Sequence, residues 1–402
     1  MKNSLFDLIN EYGEPDALID NHSESVGYAI WGFDEVVYQI NDSTYHNHQK
    51  VRCNSFELLH KLINKWSTDI NTIKSVGFMS YDIKNIIYPH ISFKKLKSNF
   101  PFFWFAKPSM IKSYSIQSNR YKEDSFKFLS QIKNLDSLSN YSKIINKIKK
   151  ELFQGNSYQI NYTMEQKYKI DLNSIDVYLL MRQIAKPQYG YFLKIKDYDI
   201  LSFSPESFFH TEKNKIFTYP MKGTINKGKN KQENDELKNK LLQSSKDRAE
   251  HIMIVDLLRN DLGKICEFGS VKTKDLFSVQ SFTTINQMVS CIYGNLKNGV
   301  SFIDIIKALC PGGSITGAPK ESSMKIIDLL ESYNREIYTG AIGHIDINND
   351  FKFNIAIRTM LIKDQIAKYC VGGGIVWDSQ EEEELHEAQL KSNILNEFTS
   401  SK

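Results

Sequence analysis

The chain has 402 residues, 41% hydrophobic and 24% charged, a globular balance and a length suited to two or three ordinary domains or one large enzyme fold. A formal net charge of +4 is mild for that length and argues against nucleic-acid or anionic-membrane partners, which call for a concentrated basic stripe. Cys53, Cys266, Cys291, Cys310 and Cys370 form no C-x-x-C pair, Asp7, Asn10 and Glu11 interrupt any secretory h-region, and no run approaches about eighteen apolar residues. The expectation is a cytoplasmic protein with reduced thiols and no membrane segment.

Residues 1–114 read as short strands and helices, with strand-like composition at 27–33 and 75–81. Residues 115–141 are polar and aperiodic and read as a surface linker. A helix is predicted over 142–154, where Ile144, Ile145, Ile148 and Leu152 share one face, with Gly155 ending it. Beyond it, strands at 158–164, 200–203, 215–219, 340–347 and 366–371 are interspersed with helices at 234–243, 247–262, 301–309, 319–333 and 381–396. The linker thus divides an N-terminal part, 1–114, from a denser region, 142–398. Several neighbouring strands have no helix between them, so the fold class is α+β, largely antiparallel, rather than doubly wound.

Lys222, in Tyr219-Pro220-Met221-Lys222-Gly223-Thr224, follows Glu206 of Phe203-Ser204-Pro205-Glu206 by sixteen positions. An amine nucleophile, a proton donor and a set of carboxylates able to hold a cation describe an enzyme that displaces a hydroxyl from an anionic substrate. Asp247 and Glu250 are three apart in the first turn of a helix behind the N-cap candidate Ser244. Glu384, Glu387 and Lys391 share a face of the last helix, where Ser379 and Glu382 are spaced as a capping box. Such acidic residues either complement the helix macrodipole or, if the two pairs meet, make a hard-oxygen site suited to Mg²⁺. Nothing has zinc-ligand spacing.

The glycine-rich turn Cys310-Pro311-Gly312-Gly313-Ser314-Ile315-Thr316-Gly317-Ala318-Pro319-Lys320 runs into a helix, as an anion site or an ordinary loop, and lacks the Walker ending. Gly372-Gly373-Gly374 lets a ligand or another strand come close. Arg358 is suited to a bidentate pair with a carboxylate, whether of a substrate or of the protein itself.

In this order, these segments resemble the chorismate-utilising enzymes, which include anthranilate, aminodeoxychorismate, isochorismate and salicylate synthases. The match covers residues 144–396, through Tyr158-Gln159-Ile160-Asn161, Ser204-Pro205-Glu206, Pro220-Met221-Lys222-Gly223-Thr224, 247–261, 312–320, Tyr338-Thr339-Gly340-Ala341-Ile342-Gly343, Ile357-Arg358-Thr359, 372–376 and 378–391. The N-terminal part joins it at Gly77-Phe78-Met79-Ser80-Tyr81-Asp82. Anthranilate synthases carry alanine at the place of Lys222, so the pattern is similar to the aminodeoxychorismate synthase component I branch. The water-adding members have a lysine base where this chain has Gln159. Gln287 stands where many members have histidine, which puts any histidine-dependent step in doubt.

The resemblance implies an anthranilate synthase component I-like α/β sandwich with large, mostly antiparallel sheets. It implies amination of chorismate at C4 to 4-amino-4-deoxychorismate, for 4-aminobenzoate and folate synthesis. Lys222 would be the covalent nucleophile and Glu206 the general acid, its pKa raised by crowding carboxylates. Mg²⁺ would sit on Glu250 and Glu387 with Asp247 and Glu384. Gly223, Thr224, Thr316, Tyr338, Arg358, Gly372, Gly373, Gly374 and Lys391 would contact substrate. No class I amidotransferase signature is visible, so ammonia is expected from a separate glutamine amidotransferase subunit. The alternatives are anthranilate synthase component I and a catalytically silent chorismate-binding paralogue.

Overall fold

The computed structural model describes every residue except 1–3, 23–24, 68–71, 95–97, 117–126, 282–284 and 401–402. Two long strands, Val26–Ile40 and Phe103–Ser115, pair antiparallel along most of their length. Their register slips between Phe33 and Glu35, and there they pass from one sheet into another.

The first sheet continues from the start of Val26–Ile40 through Ala17–Asn21, Tyr189–Ile195, Tyr198–Ser204, Thr359–Lys363, Ile366–Ile375 and Gln159–Ile170 to Leu129–Lys133. On one side of Phe103–Ser115, the second runs through Ile73–Met79, Ala341–Asp346, Phe351–Ile355, Ser207–Glu212 and Lys215–Thr218 to Ile285–Asn295. Met221–Asn226 and Lys272–Ser281 both pair with Ile285–Asn295. All these pairings are antiparallel.

Period-two alternation explains the stacking. Ala17, Ile19, Ile30, Tyr191, Leu193, Ile200 and Leu361 of the first sheet share one buried cluster with Val36, Val76, Phe78, Trp104, Ala106 and Ile342 of the second. The alternate residues Leu18, Ala29, Phe192, Leu201, Met360, Met79, Phe103, Phe105 and Ala341 belong to another cluster, with Leu5, Leu59, Ile145, Ile175, Ile254, Leu258, Ile306 and Leu385 of the covering helices. This is the expected α+β sandwich. Among the described residues no helix is long and apolar enough to cross a membrane.

The boundary placed at 115–141 does not separate two sheets. Ile73–Met79 pairs with Ala341–Asp346, and Ala17–Asn21 with Tyr189–Ile195. Of the expected linker, residues 117–126 lie outside the described residues, Leu129–Lys133 is a strand, and a helix begins at Leu138. That helix, Leu138–Phe153, buries Ile145 and Ile148 as its periodicity predicts. Gly155 (φ 75°) follows its last turn, with the Gly155 and Asn156 N–H groups closing on Leu152 and Glu151, a Schellman ending. Ser245–Ile265 starts behind Ser244, whose hydroxyl accepts the Asp247 N–H at 3.3 Å. The predicted Ser379–Glu382 capping box is absent: Gln380 is the N-cap of Glu381–Ser392 and makes no side-chain cap. Ser379 instead donates to Glu384 Oε1 at 2.6 Å and accepts the Val376 N–H at 3.1 Å.

Candidate active site

Lys222 lies half-buried in Met221–Asn226, and Gly223 beside it takes a left-handed φ of 63° where the pairing with Ile285–Asn295 skips a residue. A Cβ on Gly223 would sit 3.1 Å from Asp247 Oδ1, so only glycine lets the first turn of Ser245–Ile265 come this close. The helix then presents Glu250 to Lys222. Burial, with Lys391 adding to it, holds the Lys222 ammonium below its ordinary pKa against Glu250, Glu206 and Glu387, which favour the charged form. Thr224, past the bulge, is exposed and opposite Gln287.

Glu206 follows Tyr198–Ser204. Its N–H donates to Ser204 Oγ at 3.1 Å, and its carbonyl accepts from Ile355 at 3.1 Å, which fixes the turn that aims the carboxyl. Burial raises that carboxyl to about 7, while Lys222, a hydrogen bond from Ser314 and Lys391 pull it down. The sequence-based cause is thus corrected: desolvation, not crowding by other carboxylates, raises this pKa.

The glycine run closes Ile366–Ile375. A Cβ on Gly372 would meet the Tyr162 carbonyl at 2.1 Å, and one on Gly374 the Gln159 amide at 2.8 Å. Gly373 faces the acidic helix instead, with Glu384 Oε2, Lys391 Nζ and Glu387 Oε1 at 3.5, 3.7 and 4.0 Å from where its Cβ would be. Lys391 Nζ donates to the Gly372 carbonyl at 2.8 Å and pairs with Glu387 at 2.6 Å. Burial raises the Glu250 and Glu384 pKa values, and carboxylate neighbours push the same way, whereas Lys391 leaves Glu387 lowered despite desolvation.

Among the described residues no group of three or more Asp, Glu, His or Cys side chains is gathered to hold a metal ion. Glu384 is tied to Ser379 and Glu387 to Lys391. The donor chemistry nevertheless fits Mg²⁺, which needs only one or two carboxylates beside water and substrate oxygens, and a cation would relieve the repulsion felt by Glu250 and Glu384.

Other expected contacts stand differently. Thr316 is fully buried and its hydroxyl donates to the Gly312 carbonyl at 2.8 Å. Tyr338 is buried. Arg358 is exposed at a left-handed φ of 50°, and no hydrogen bond or ion pair among the described residues engages its guanidinium. Two side chains left out of the sequence-based site are conspicuous here. Both amide atoms of the fully buried Gln159 lack a partner among the described residues. His251 bonds Ser290 Oγ at 2.7 Å through Nε2, has no partner for Nδ1 among the described residues and is pushed down to about 4 by burial, with Lys222 adding to the shift. Gln159 had a signal, its place before the glycine run's pairing partners; His251 had none.

A family model of chorismate binding enzymes matches residues 14–397. The chain is 36% identical to aminodeoxychorismate synthase component 1 of Bacillus subtilis (strain 168), over 63% of this chain and 54% of that protein. It is 34% identical to anthranilate synthase component 1 of Saccharolobus solfataricus, over 64% of this chain and 61% of that protein. The chain therefore spans little more than half the length of these curated relatives. In fold it resembles the crystal structure of anthranilate synthase component I from Streptococcus pneumoniae TIGR4, with a TM-score of 0.80, 23% identity and 92% of both chains covered. On the family match, with this sandwich around Lys222 and Glu206, the chain belongs to the chorismate binding enzymes.

Proposed function

We propose that this chain aminates chorismate, replacing the C4 hydroxyl to give 4-amino-4-deoxychorismate on the way to 4-aminobenzoate and folate. The observation that carries this reading is Lys222 beside Glu206, an amine made less basic and a carboxyl made less acidic by the same burial. As the neutral amine, Lys222 Nζ attacks C2 of chorismate, the ring double bonds shift, and the C4–O bond breaks. Glu206 gives its proton to the departing hydroxyl, which leaves as water. Ammonia then attacks C4, the double bonds shift back and the C2–N bond breaks. The departing lysine takes up the proton lost by the incoming nitrogen, and a proton passed from it to Glu206 restores the neutral amine and the protonated acid.

Glu250 and Glu387, supported by Asp247 and Glu384, would hold Mg²⁺, which when bound polarises the ring carboxylate. Arg358 is the candidate partner for the enolpyruvyl carboxylate. The Gly372–Gly374 backbone and Lys391 would receive the ring end of the substrate, with Gly223, Thr224 and Tyr338 as further contacts. Thr316, with its hydroxyl on Gly312, its N–H on Gly313 and its carbonyl accepting from Asn161, would shape the wall of the site rather than bind substrate through a free polar group. A separate glutamine amidotransferase subunit would supply ammonia, a reading supported by relatives named as component 1.

Anthranilate formation is the second reading, favoured by the 34% identity to an anthranilate synthase component. Product identification with chorismate, Mg²⁺ and ammonium separates the two. The native chain is expected to make aminodeoxychorismate, which an added lyase converts to 4-aminobenzoate. Lys222→Ala should lose product on the order of 10⁴-fold or more, the scale at which removing a covalent nucleophile is felt. Anthranilate from the native chain overturns the proposal.

A further inference from the structure

Behind the candidate site lies an ion pair that the proposed chemistry does not use. Lys320–Leu330 stops at Glu331, whose extended backbone (φ −79°, ψ 133°) ends the helix. Buried beside it is Arg335, and each of its five N–H groups finds an acceptor. Nε reaches Glu331 Oε2 at 2.8 Å; Nη2 reaches Glu331 Oε1 at 2.7 Å and the Asn161 carbonyl at 2.6 Å; Nη1 reaches the Ile315 carbonyl at 2.9 Å and Thr339 Oγ1 at 3.2 Å. Glu331 in turn accepts the Thr163 N–H at 2.9 Å and the Thr163 hydroxyl at 2.8 Å.

Each of these partners adjoins the candidate site. Ile315 sits between Thr316 and Ser314, whose hydroxyl is near enough to the Glu206 carboxyl to lower its pKa. Asn161 and Thr163 lie across from Gly374 and Gly372. Thr339, at a left-handed φ of 61°, follows Tyr338. A buried ion pair is weak evidence of stability, because an apolar pair of the same volume often does as well; fixing one conformation is its better-attested use. Here the fixed pieces come from three separate parts of the chain.

We propose that Arg335, held by Glu331, is a positioning residue that sets the Gly313–Ile315 turn and the Gln159–Ile170 strand so that Ser314 meets Glu206 and the glycine run faces the substrate. The inference rests on reading Glu206 and the glycines as site residues. Arg335→Lys keeps the charge but offers three donors in place of five.

The readout is the titration of Glu206 in the ligand-free full chain, followed by carboxyl carbon NMR and assigned by its loss in Glu206→Gln. Ser314 from the turn, Lys222 from Met221–Asn226 and Lys391 from Glu381–Ser392 all hold Glu206 down. Ser314 stands on the turn that Arg335 ties, and Lys391 bonds the Gly372 carbonyl, across from the Thr163 that Glu331 holds. Arg335→Lys and Ser314→Ala should therefore each raise the midpoint, and the double variant should raise it by less than the sum of the two. The kcat for chorismate consumption should fall on the order of 10²-fold in Arg335→Lys, the cost of a small misplacement.

An unmoved midpoint in Arg335→Lys, or additive shifts in the double variant, overturns the proposal. Should Arg335→Lys fail to fold, Thr163→Val, which removes the hydroxyl that Glu331 and the Tyr333 hydroxyl share, carries the same expectation of a raised midpoint, and an unmoved one overturns it likewise. Because the midpoint is read without substrate, a native chain that leaves chorismate unconsumed sinks the amination reading alone.

Discussion

Lys222 and Glu206 shift toward each other because both leave water, and desolvation disfavours whichever form is charged. At Glu206 this has two measurable consequences. The acid form is held up to about 7, so the kcat/KM profile for chorismate should fall above that pH, and Glu206→Gln should remove this limb with most of the activity. The folded pKa lies above the unfolded value near 4.5, so the associated stability is complete below 4.5 and lost as the pH rises through about 7. Glu206→Gln should therefore melt higher than the native chain at pH 8, by up to roughly 3 kcal/mol, and no higher at pH 4. Melting curves that keep the same order at both pH values would show that the carboxyl is not desolvated. Lys222 and Glu206 were legible as candidates from their motifs. The cause of the Glu206 shift was not, because sequence lists the carboxylates without saying that cations and a buried turn stand nearer. The unpaired atoms of Gln159 and His251 were equally hidden, since pairing is a property of neighbours distant in sequence.

Strand lengths explain the glycine run. Thr359–Lys363 pairs with Ile366–Ile375 only as far as Met360 and Tyr369, so the longer strand goes on with one edge unpaired. Asn161 and Thr163 send their N–H groups away from that strand, to Thr316 and Glu331, so their partners Gly374 and Gly372 turn their backbone groups toward the free edge, where Lys391 takes the Gly372 carbonyl. The three glycines are therefore not equivalent. Gly372→Ala drives a methyl into the Tyr162 carbonyl and should cost about 1–3 kcal/mol in urea unfolding. Gly373→Ala should stay within about 0.5 kcal/mol of native but raise the KM for chorismate, since its methyl enters the space bounded by Glu384 and Lys391. A native KM would remove Gly373 from the proposed substrate surface. Helix faces and the Ser244 cap were readable because spacing and capping are local. The Ser379 cap misled because its hydroxyl had a competing acceptor in Glu384, two residues past the one the spacing pointed to.

At the scale of the whole molecule, the family resemblance made the sandwich legible but composition suggested a seam that the hydrogen bonding does not contain. A polar, aperiodic stretch looks the same whether it joins two domains or crosses the surface of one, and what decides is where the flanking strands find partners. Here Ile73–Met79 lies between Phe103–Ser115 and Ala341–Asp346, and Ala17–Asn21 between Val26–Ile40 and Tyr189–Ile195. The inter-sheet cluster draws on both sides of the proposed boundary. Neither part can leave without exposing a sheet edge and half of a core, so urea should unfold the chain in one step. Two signals divide the molecule for this test. Trp31, Trp66 and Trp104 are buried in the first 114 residues, while Trp377 is 56% exposed and adds little change. Most of the helix, including Leu138–Phe153, Ser245–Ile265 and Glu381–Ser392, lies after residue 137. Tryptophan fluorescence and far-ultraviolet circular dichroism should trace superimposable curves, because the N-terminal strands and the C-terminal helices lose their support together. A fluorescence midpoint at lower urea, with the helical signal intact, would mean that residues 1–114 unfold as a unit of their own and that the shared sheets contribute little to cohesion.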